Sequence, residues 1–312
     1  MLIYDDVILK DKKTNNYVAL GSFDGLHLGH LSLIEKVKEL ANKNHGNSMV
    51  FTFKNHPRDL IRLNEKVELL MTNTEKINIL QKANIDILAF RTFNENIMKM
   101  QPEDFIKWIC KDYNVKGIVV GFNFKFGYKN LGDIEVLRKY KQEYNYELVV
   151  MEPYKMDGDI ISSTRIRREL VAGNIDKVNK MLSRPYSLSG KVIHGKKLGR
   201  TIGFPTINME INPSKIIPAK GVYYTNIIIN GEIFKGITSV GNNPTVNGEN
   251  LTIETYVLNF NNEIYGEEVT LYFISKIRNE IKFNSINELK EQLEKDKNYA
   301  INSKVVLNHN FI

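Results

Sequence analysis

The chain has 312 residues, of which 42% are hydrophobic and 25% are charged, a composition typical of globular proteins. No stretch approaches the about 18 consecutive apolar residues of a membrane-spanning helix, and the N-terminal residues lack the pattern of a signal peptide. We therefore expect a cytoplasmic protein of two domains with no membrane partner. The single cysteine, Cys110, excludes an internal disulfide and lies in a helical pattern, where we expect a core residue.

The formal net charge of +7 raises the question of a nucleic-acid partner. Basic residues alternate with acidic ones, as between Glu291 and Lys297, and no single basic stripe is visible. The pattern favours sites for small anionic ligands and no nucleic acid.

Short apolar runs alternate with helical patterns in the first part of the chain. Five runs predict strands, at Val18 to Leu20, Met49 to Phe53, Ile85 to Phe90, Gly117 to Val120 and Glu147 to Met151. Four segments predict helices, at Leu31 to Ala41, Thr74 to Lys82, Pro102 to Tyr113 and Ile134 to Tyr144. This alternation predicts a Rossmann-like α/β domain, residues 1–182, whose parallel sheet binds ligands at the carboxyl ends of its strands.

After Ser183-Arg184-Pro185 the pattern becomes β-rich. Five strands are predicted, at Tyr186 to Ile193, Gly221 to Ile229, Ile233 to Val240, Leu251 to Asn259 and Glu267 to Ile274. They are separated by turn signals at Asn230-Gly231, Asn242-Asn243-Pro244, Asn247-Gly248 and Asn261-Asn262. A last helix follows Ser285, with Glu288 completing a capping box. Residues 183–312 are therefore predicted to form an antiparallel β-barrel with a C-terminal helix.

The most informative motif is the turn from Gly21 to His30, which follows the first predicted strand and contains three glycines and two histidines. Glycines allow positive φ or close approach to a phosphate, and the helix that follows directs N–H groups and its positive dipole end at an anion. His27 and His30 would lie beside that anion and stabilise charge in phosphoryl or nucleotidyl transfer. In the alternative interpretation, the histidines cap the helix or bind a metal.

Three further clusters follow predicted strands or open a helix in this domain. Asn55-His56-Pro57-Arg58 is suited to gripping a phosphate. The loop from Gly121 to Asp133 places aromatic residues between glycines, as a flat ring ligand requires, and Ile161 to Arg167 offers hydroxyls and two arginines to a triphosphate. Singly, each cluster also fits a structural role: a turn, a buried aromatic stripe, or a helix cap at Ser163 or Thr164.

The second domain has a candidate site of its own. A predicted loop combines glycines, a proline bend and two neutral oxygen ligands that suit Mg²⁺ carrying ATP, in the residues Gly199, Gly203, Pro205, Thr206 and Asn208. Glu254 lies among β-forming residues that would hold its carboxylate rigidly, as a general base requires when it takes a proton from an alcohol. The alternative for Glu254 is an exposed strand carboxylate.

In their order along the chain, these motifs resemble those of the bacterial bifunctional riboflavin kinase/FMN adenylyltransferase family. The first half is similar to the adenylyltransferase, marked by H-x-G-H and I-S-S-T-x-x-R. The second half resembles riboflavin kinase in Gly195 to Asn208, Gly221-Val222-Tyr223, Val240 to Thr245, Ile253 to Tyr256, Arg278 and Lys282-Phe283. The resemblance implies that residues 183–312 phosphorylate riboflavin to FMN and that residues 1–182 adenylylate FMN to FAD with release of pyrophosphate. ATP is the implied substrate and Mg²⁺ the implied cofactor of both steps; the oligomeric state stays open.

The resemblance also implies which residues act. Catalytic roles fall to His27, His30 and Glu254. ATP binding in the adenylyltransferase is implied for Gly21, Ser22, Phe23, Asp24, His27, His30, Ser163, Thr164 and Arg167, and FMN binding for Asn55, His56, Pro57, Arg58, Asn123 and Phe126. In the kinase, ATP binding is implied for Lys197, Gly199, Gly203, Pro205, Thr206 and Asn208, flavin binding for Glu254 and Arg278, and metal binding for Thr206 and Asn208.

Two positions depart from the family pattern. Asn123 stands where the family often has Asp, which keeps a hydrogen-bonding side chain and removes a charge. Asn130 stands where Arg is common, which removes a substrate contact.

Two other functions fit parts of the chain. A nucleotidyltransferase with another phosphate acceptor would need no barrel domain, so the β-rich half disfavours it. A flavin-binding or nucleic-acid-binding regulator with inert sites is disfavoured because His27, His30, Arg167 and Glu254 are all present.

Overall fold

The computed structural model describes residues 1–7, 13–61, 67–195, 198–245 and 248–307. The chain forms two compact units, Met1–Ser163 and Thr164–Ile312.

The first unit is built on a six-stranded parallel sheet with strand order β1-β4-β3-β2-β5-β6. Its strands are β1 (Leu2–Asp5), β2 (Asn16–Leu20), β3 (Asn47–Phe53), β4 (Ile87–Arg91), β5 (Val115–Gly121) and β6 (Glu147–Met151). The strand order reverses between β2 and β5. Ligands of such sheets bind in the crevice beyond the carboxyl ends of the strands at this reversal.

Helices cover both faces of the sheet. They are α1 (Leu28–Lys43), α2 (Pro57–Ile61), α3 (Asn73–Lys82), α4 (Glu95–Met98), α5 (Pro102–Asp112) and α6 (Ile134–Tyr140), with a 3-10 turn at Tyr128–Asn130 and a small hairpin of β7 (Lys155–Met156) and β8 (Asp159–Ile160). Alternate residues of β2 point to opposite faces: Val18 packs in one core cluster with Ile109 of α5, and Ala19 packs in another with Ile34 of α1. The result is a three-layer α/β/α unit.

The α/β fold predicted for this part of the chain is confirmed, and each predicted strand and helix is present with its ends moved by a few residues. One strand of the six-stranded sheet was not predicted, and neither was the hairpin of β7 and β8. β1 pairs in parallel with β4, from Leu2 opposite Ile87 to Asp5 opposite Phe90. Its pairing places Asp5 and Asp6 at the carboxyl edge of the sheet.

The second unit contains two helices, α7 (Ser163–Val171), whose first residue ends the first unit, and α8 (Ile175–Leu182). It continues into a closed antiparallel barrel with strand order β10-β13-β12-β11-β14-β9. The barrel elements are β9 (Tyr186–Ile193), α9 (Leu198–Thr201), β10 (Thr206–Met209), β11 (Gly221–Ile229), β12 (Glu232–Thr245), β13 (Gly248–Val257) and β14 (Glu268–Arg278), followed by α10 (Ile286–Asn302). The barrel and the C-terminal helix are those predicted, and Ser285 caps α10 as expected.

Two local predictions for the barrel are wrong. Residues 199–208 are not a loop throughout, because Thr206–Met209 form β10, which pairs with both β9 and β13 and so closes the barrel. Asn242-Asn243-Pro244 is not a turn either, because β12 runs on to Thr245. Beyond Val240 this strand pairs with β13 and no longer with β11, so no second neighbour requires the N–H that proline lacks.

The other turn signals differ in outcome. Asn230 and Gly231 connect β11 to β12 with φ of 49° and 83°, which confirms the predicted hairpin turn. Asn247 lies outside the described residues.

The helix α8 belongs with the barrel. The Asn179 side chain donates to the Phe273 carbonyl at 2.8 Å and accepts from the Tyr186 N–H at 2.8 Å. The two compact units accordingly divide after Ser163, the first residue of α7, whereas the functional boundary at 182/183 stays a prediction.

Candidate active sites

The turn between β2 and α1 places the two histidines together. His27 is the N-cap of α1, and its Nδ1 accepts a hydrogen bond from the His30 N–H at 3.3 Å. The two imidazole rings stack with centroids 3.7 Å apart, and His27 is only 5% exposed. Both rings therefore serve one location, at the positive end of a helix and beside the strand-order reversal.

The cap also sets the protonation pattern of His27. Because Nδ1 accepts a hydrogen bond, the neutral ring carries its proton on Nε2, where it can act as a donor. The capping role foreseen as the alternative interpretation is present, and the chemical role of His27 stays a prediction. The hydrogen bond at Nδ1 holds the His27 ring in place, and Nε2 can act as a donor.

The backbone of this turn is adapted to hold the histidines. Gly25 has φ of 86°, and the buried residues Phe23 and Leu26 also have positive φ, of 48° and 39°. A Cβ at Gly29 would lie 3.2 Å from the His27 ring, so glycine leaves the space that the imidazole fills. Positive φ at bulky residues is rare, and such strain concentrates at functional sites.

Three other predicted ATP-binding residues contact the turn or its surroundings. The Ser163 hydroxyl donates to the Asp24 carbonyl at 2.8 Å, and the Asp24 carboxylate accepts from the Leu70 N–H at 3.0 Å. The Ser22 carbonyl accepts from the Thr52 hydroxyl at 3.0 Å and from the Lys76 ammonium at 3.0 Å. These bonds fix the turn from both sides.

A cleft opens next to this turn. It is lined by Ser22, Asp24, Phe53, Lys54, Asn55, His56, Pro57, Leu69, Met71, Asn73 and Lys76. It thus brings together residues predicted to bind ATP, Ser22 and Asp24, with residues predicted to bind FMN, from Asn55 to Pro57. His27 and His30 are not among its lining residues.

The segment after β3 is held by its own polar groups. Both ends of the Asn55 amide bond to the Phe93 backbone, accepting from its N–H at 2.8 Å and donating to its carbonyl at 3.0 Å. His56 Nδ1 accepts from the Arg58 N–H at 3.2 Å, and Pro57 begins α2. Asn55 therefore positions the neighbouring loop, and its contact with FMN stays a prediction.

The loop from Gly121 to Asp133 has one buried and one exposed candidate. Phe126 is buried, with its ring 5.3 Å from that of Phe105, so it belongs to the core, as the structural alternative proposed. Asn123 is exposed. Asn130 has φ of 59°, a conformation that asparagine tolerates better than most residues.

Thr164 and Arg167 lie in α7 and belong to the second compact unit. Thr164 is exposed and Arg167 is half-buried. Their predicted role in binding ATP stays a prediction.

The barrel carries the second candidate site on its outer face. Glu254 of β13 lies directly opposite Asn208 of β10, and its carboxylate accepts a hydrogen bond from the Thr206 hydroxyl at 3.4 Å. Ile253 and Thr255, on either side of Glu254, are buried inside the barrel. Rigid strands therefore hold three oxygen-bearing side chains together.

The glycine-rich segment that precedes β10 makes a tight turn. The Phe204 N–H donates to the Gly199 carbonyl at 2.8 Å, and the Phe204 carbonyl lies so close to Gly199 that a Cβ there would clash. Gly203 has φ of 86°, and Pro205 is exposed. Lys197 lies outside the described residues, so its predicted contact with ATP stays a prediction.

Arg278 is engaged with the C-terminal helix. Its Nη2 and Nε donate to the Asp296 carboxylate at 2.8 and 3.0 Å, and Asp296 is 1% exposed. The Gln292 amide donates to the same carboxylate at 2.9 Å. This pair anchors α10 to β14, and the flavin contact of Arg278 stays a prediction.

The sequence did not single out two lysines of the cleft. Lys54 pairs with Asp5 and, at 2.5 Å, with Asp6, and these bonds raise its pKa. The Lys54 and Thr92 hydrogen bonds outweigh burial and lower the pKa of Asp6 to about 2. Lys76 on α3 is 5% exposed, and burial lowers its pKa to about 8.

Cys110 lies where the sequence predicts a core residue. Cys110 packs against the core of the first unit, and burial raises the pKa of its thiol to about 12, so a structural role fits it.

Over the described ranges, no three His, Cys, Asp or Glu side chains are grouped in a way that could hold a metal ion. Within the same ranges, no helix combines the length and apolar character that crossing a bilayer requires.

The first unit thus has the parallel sheet and the paired histidines of the nucleotidyltransferase class, joined in one chain to a barrel with a candidate phosphoryl-transfer site. Family models match both parts: FAD synthetase over residues 9–165 and riboflavin kinase over residues 182–304.

Curated relatives cover nearly the whole chain. A bifunctional riboflavin kinase/FMN adenylyltransferase from Listeria monocytogenes is 37% identical over 90% of this chain and 90% of its own length. One of the same description from Bacillus subtilis is 36% identical over 94% of both. A crystal structure described as a macrolide-efflux protein from Streptococcus pneumoniae is 30% identical, with a TM-score of 0.86, over 97% of this chain and 100% of that one.

The chain therefore belongs to the family of bifunctional riboflavin kinases/FMN adenylyltransferases. It carries both enzyme domains in the order that the motifs predicted, and ATP is the substrate of each.

Proposed function

We propose that the first unit forms FAD with His27 and His30 as the catalytic pair. An oxygen of the FMN phosphate attacks the α-phosphorus of ATP, the bond to the β-phosphate oxygen breaks, and pyrophosphate leaves. The stacked imidazoles at the N-terminus of α1 stabilise the charge that builds up on the α-phosphate oxygens. The observation that carries this proposal is the stacking of two imidazoles 3.7 Å apart at that helix N-terminus.

The barrel supplies FMN by the kinase step. Glu254 accepts the proton of the ribityl 5′-hydroxyl as that oxygen attacks the γ-phosphorus of ATP, the β–γ bridging bond breaks, and ADP leaves. Thr206 and Asn208 lie on the same outer face as Glu254, on the neighbouring strand β10. The arrangement supports a base held close to the site where the nucleotide phosphates bind.

The donor set of the kinase site suits Mg²⁺. A hydroxyl, an amide and a carboxylate, from Thr206, Asn208 and Glu254, are hard oxygen ligands of the kind that this cation prefers. Thr206 and Asn208 would hold the ion, which when bound neutralises charge on the ATP phosphates.

The first test separates the flavin products. Purified protein is incubated with riboflavin, ATP and Mg²⁺, and the flavins are resolved by chromatography. We expect both FMN and FAD. Formation of FMN without FAD would contradict the adenylyltransferase assignment, and formation of neither would contradict the whole proposal.

His30→Ala tests the adenylyl site alone. Loss of one donor to a developing oxyanion typically lowers the rate by about 10² to 10³, so FAD formation should fall by that factor while riboflavin is still converted to FMN. Equal loss of both products would instead indicate a general defect of the protein.

Glu254→Gln tests the kinase site alone. The amide keeps the shape of the side chain and cannot accept the hydroxyl proton, so FMN formation should fall by about 10² to 10⁴. The variant should still convert supplied FMN to FAD. Undiminished FMN formation would exclude Glu254 as the base.

A further inference from the structure

Lys76 places a buried ammonium group in the cleft of the first unit, where an anionic substrate is expected to bind. It lies near the start of α3 and reaches the cleft next to the histidine turn, where it is 5% exposed. An ammonium makes three hydrogen bonds when it is satisfied. Among the described residues, the Ser22 carbonyl, at 3.0 Å, is the one acceptor that the structure gives to Lys76 Nζ.

The two lysines of the cleft differ in their counter-charges. Lys54 is neutralised by Asp5 and Asp6. Lys76 instead has the Phe90 ring 5.8 Å from its Nζ, and Asp24 favours its charged form without outweighing burial. A buried ammonium with so little compensation is costly, and a bound anion would supply what is missing.

The residues around Lys76 identify that anion. The cleft contains the segment from Asn55 to Pro57, predicted to bind FMN. Of the residues predicted to bind ATP it contains Ser22 and Asp24, but not the histidine pair beside which the ATP phosphates are predicted to lie. The occupant closest to the ammonium is therefore the acceptor phosphate, not the triphosphate.

We propose that Lys76 binds the phosphomonoester of FMN in the adenylyltransferase site and so makes this site select FMN over riboflavin. This inference rests on the proposed function of the first unit. It adds a residue that distinguishes a phosphorylated flavin from an unphosphorylated one by its charge.

The test compares FMN with riboflavin at the same site. In a Glu254→Gln background, where riboflavin should be phosphorylated about 10² to 10⁴ times more slowly, FAD formation from FMN gives the KM for FMN, and inhibition by riboflavin gives its Ki. Lys76→Met should raise the KM for FMN by about 10-fold to 100-fold, the effect of losing a charged hydrogen bond. The Ki of riboflavin should stay within about twofold and the KM for ATP should not change.

Two matched controls separate binding from support of the turn. Thr52→Val removes the other hydrogen bond to the Ser22 carbonyl and keeps the ammonium, so it should raise the KM for FMN much less than Lys76→Met. Lys82→Met makes the same substitution at an exposed position of α3 and should leave the KM for FMN unchanged. The Lys76→Met single variant should also retain kinase activity, and Lys76→Arg should recover part of the affinity for FMN.

Several results would overturn the inference. An equal effect of Thr52→Val or Lys82→Met, an equal rise in the riboflavin Ki, or a rise in the KM for ATP in place of that for FMN would each exclude it. If the Glu254→Gln parent makes no FAD from FMN, the proposed function fails instead, so the two failures are distinguishable.

Discussion

At the scale of single residues, environment decides what each side chain can do. His27 caps α1 through Nδ1 and thereby presents Nε2 as the donor nitrogen. Lys54 and Lys76 line the same cleft, yet two carboxylates raise the pKa of one and burial lowers that of the other to about 8. Both side chains carry the same ammonium group, and their different neighbours shift its pKa in opposite directions.

The pH dependence of FAD formation should report Lys76. Only its ammonium form binds a phosphate, so the kcat/KM for FMN should be level below pH 8 and fall as the pH rises through about 8. Asp24 from the turn after β2, and Lys54 and His56 from the segment after β3, share the cleft with it. Rates measured from about pH 7 to about pH 9.5 check this, and a Lys76→Met profile with the same fall would contradict it.

The sequence could predict the histidine site and part of the lining of the cleft beside it, but not Lys76. His27 and His30 stand in a turn whose glycines and following helix carry a local signal. Lys76 carries none, because a lysine in an amphipathic helix is usually solvated and its burial depends on contacts with Ser22 and Phe90, which are distant in sequence. The pairing of Glu254 with Asn208 likewise depends on strand register.

At the scale of elements, pattern length decided what could be predicted. Long periodic segments such as α5 and β11 were located closely, because many residues contribute to each pattern. The strands β1 and β10 have four residues each, too few for an alternating pattern to stand out. Each of them forms because it pairs with neighbouring strands: β1 pairs with β4, and β10 pairs with β9 and β13.

The attachment of α10 to the barrel depends on one buried ion pair. Arg278 and Asp296 are 15% and 1% exposed, so removing one partner leaves an uncompensated charge. Asp296→Ala should lower the free energy of unfolding of the second unit by about 3 to 5 kcal/mol, measured by urea denaturation. Glu294→Ala, which breaks an exposed pair with Lys297 on the same helix, should change it little; a comparable loss there would contradict the explanation.

At the scale of the whole molecule, the candidate catalytic residues of the two steps lie in separate compact units, although Thr164 and Arg167, predicted to bind ATP in the first step, belong to the second unit. Each unit has its own core and its own candidate catalytic residues: His27 and His30 in the first, Glu254 in the second. Loss of one step is therefore compatible with an intact second step.

Mixing two complementary variants tests this independence. His30→Ala should make FMN and stop, whereas Glu254→Gln should accept FMN made elsewhere. An equimolar mixture given riboflavin and ATP should therefore form FAD after a lag, because FMN must accumulate first. Absence of FAD, although each variant completes its own step on supplied substrate, would show that FMN does not pass between molecules.

The short strand β10 has a consequence for inactivation by heat. It is the seam of the barrel, and it also carries Thr206 and Asn208 opposite Glu254. If β10 separates from its neighbours on heating, the candidate residues of the kinase step would move apart before the rest of the protein unfolds. A warmed sample would then stop making FMN while it could still turn FMN from another source into FAD, so the supply of the intermediate would be the heat-sensitive stage of flavin activation.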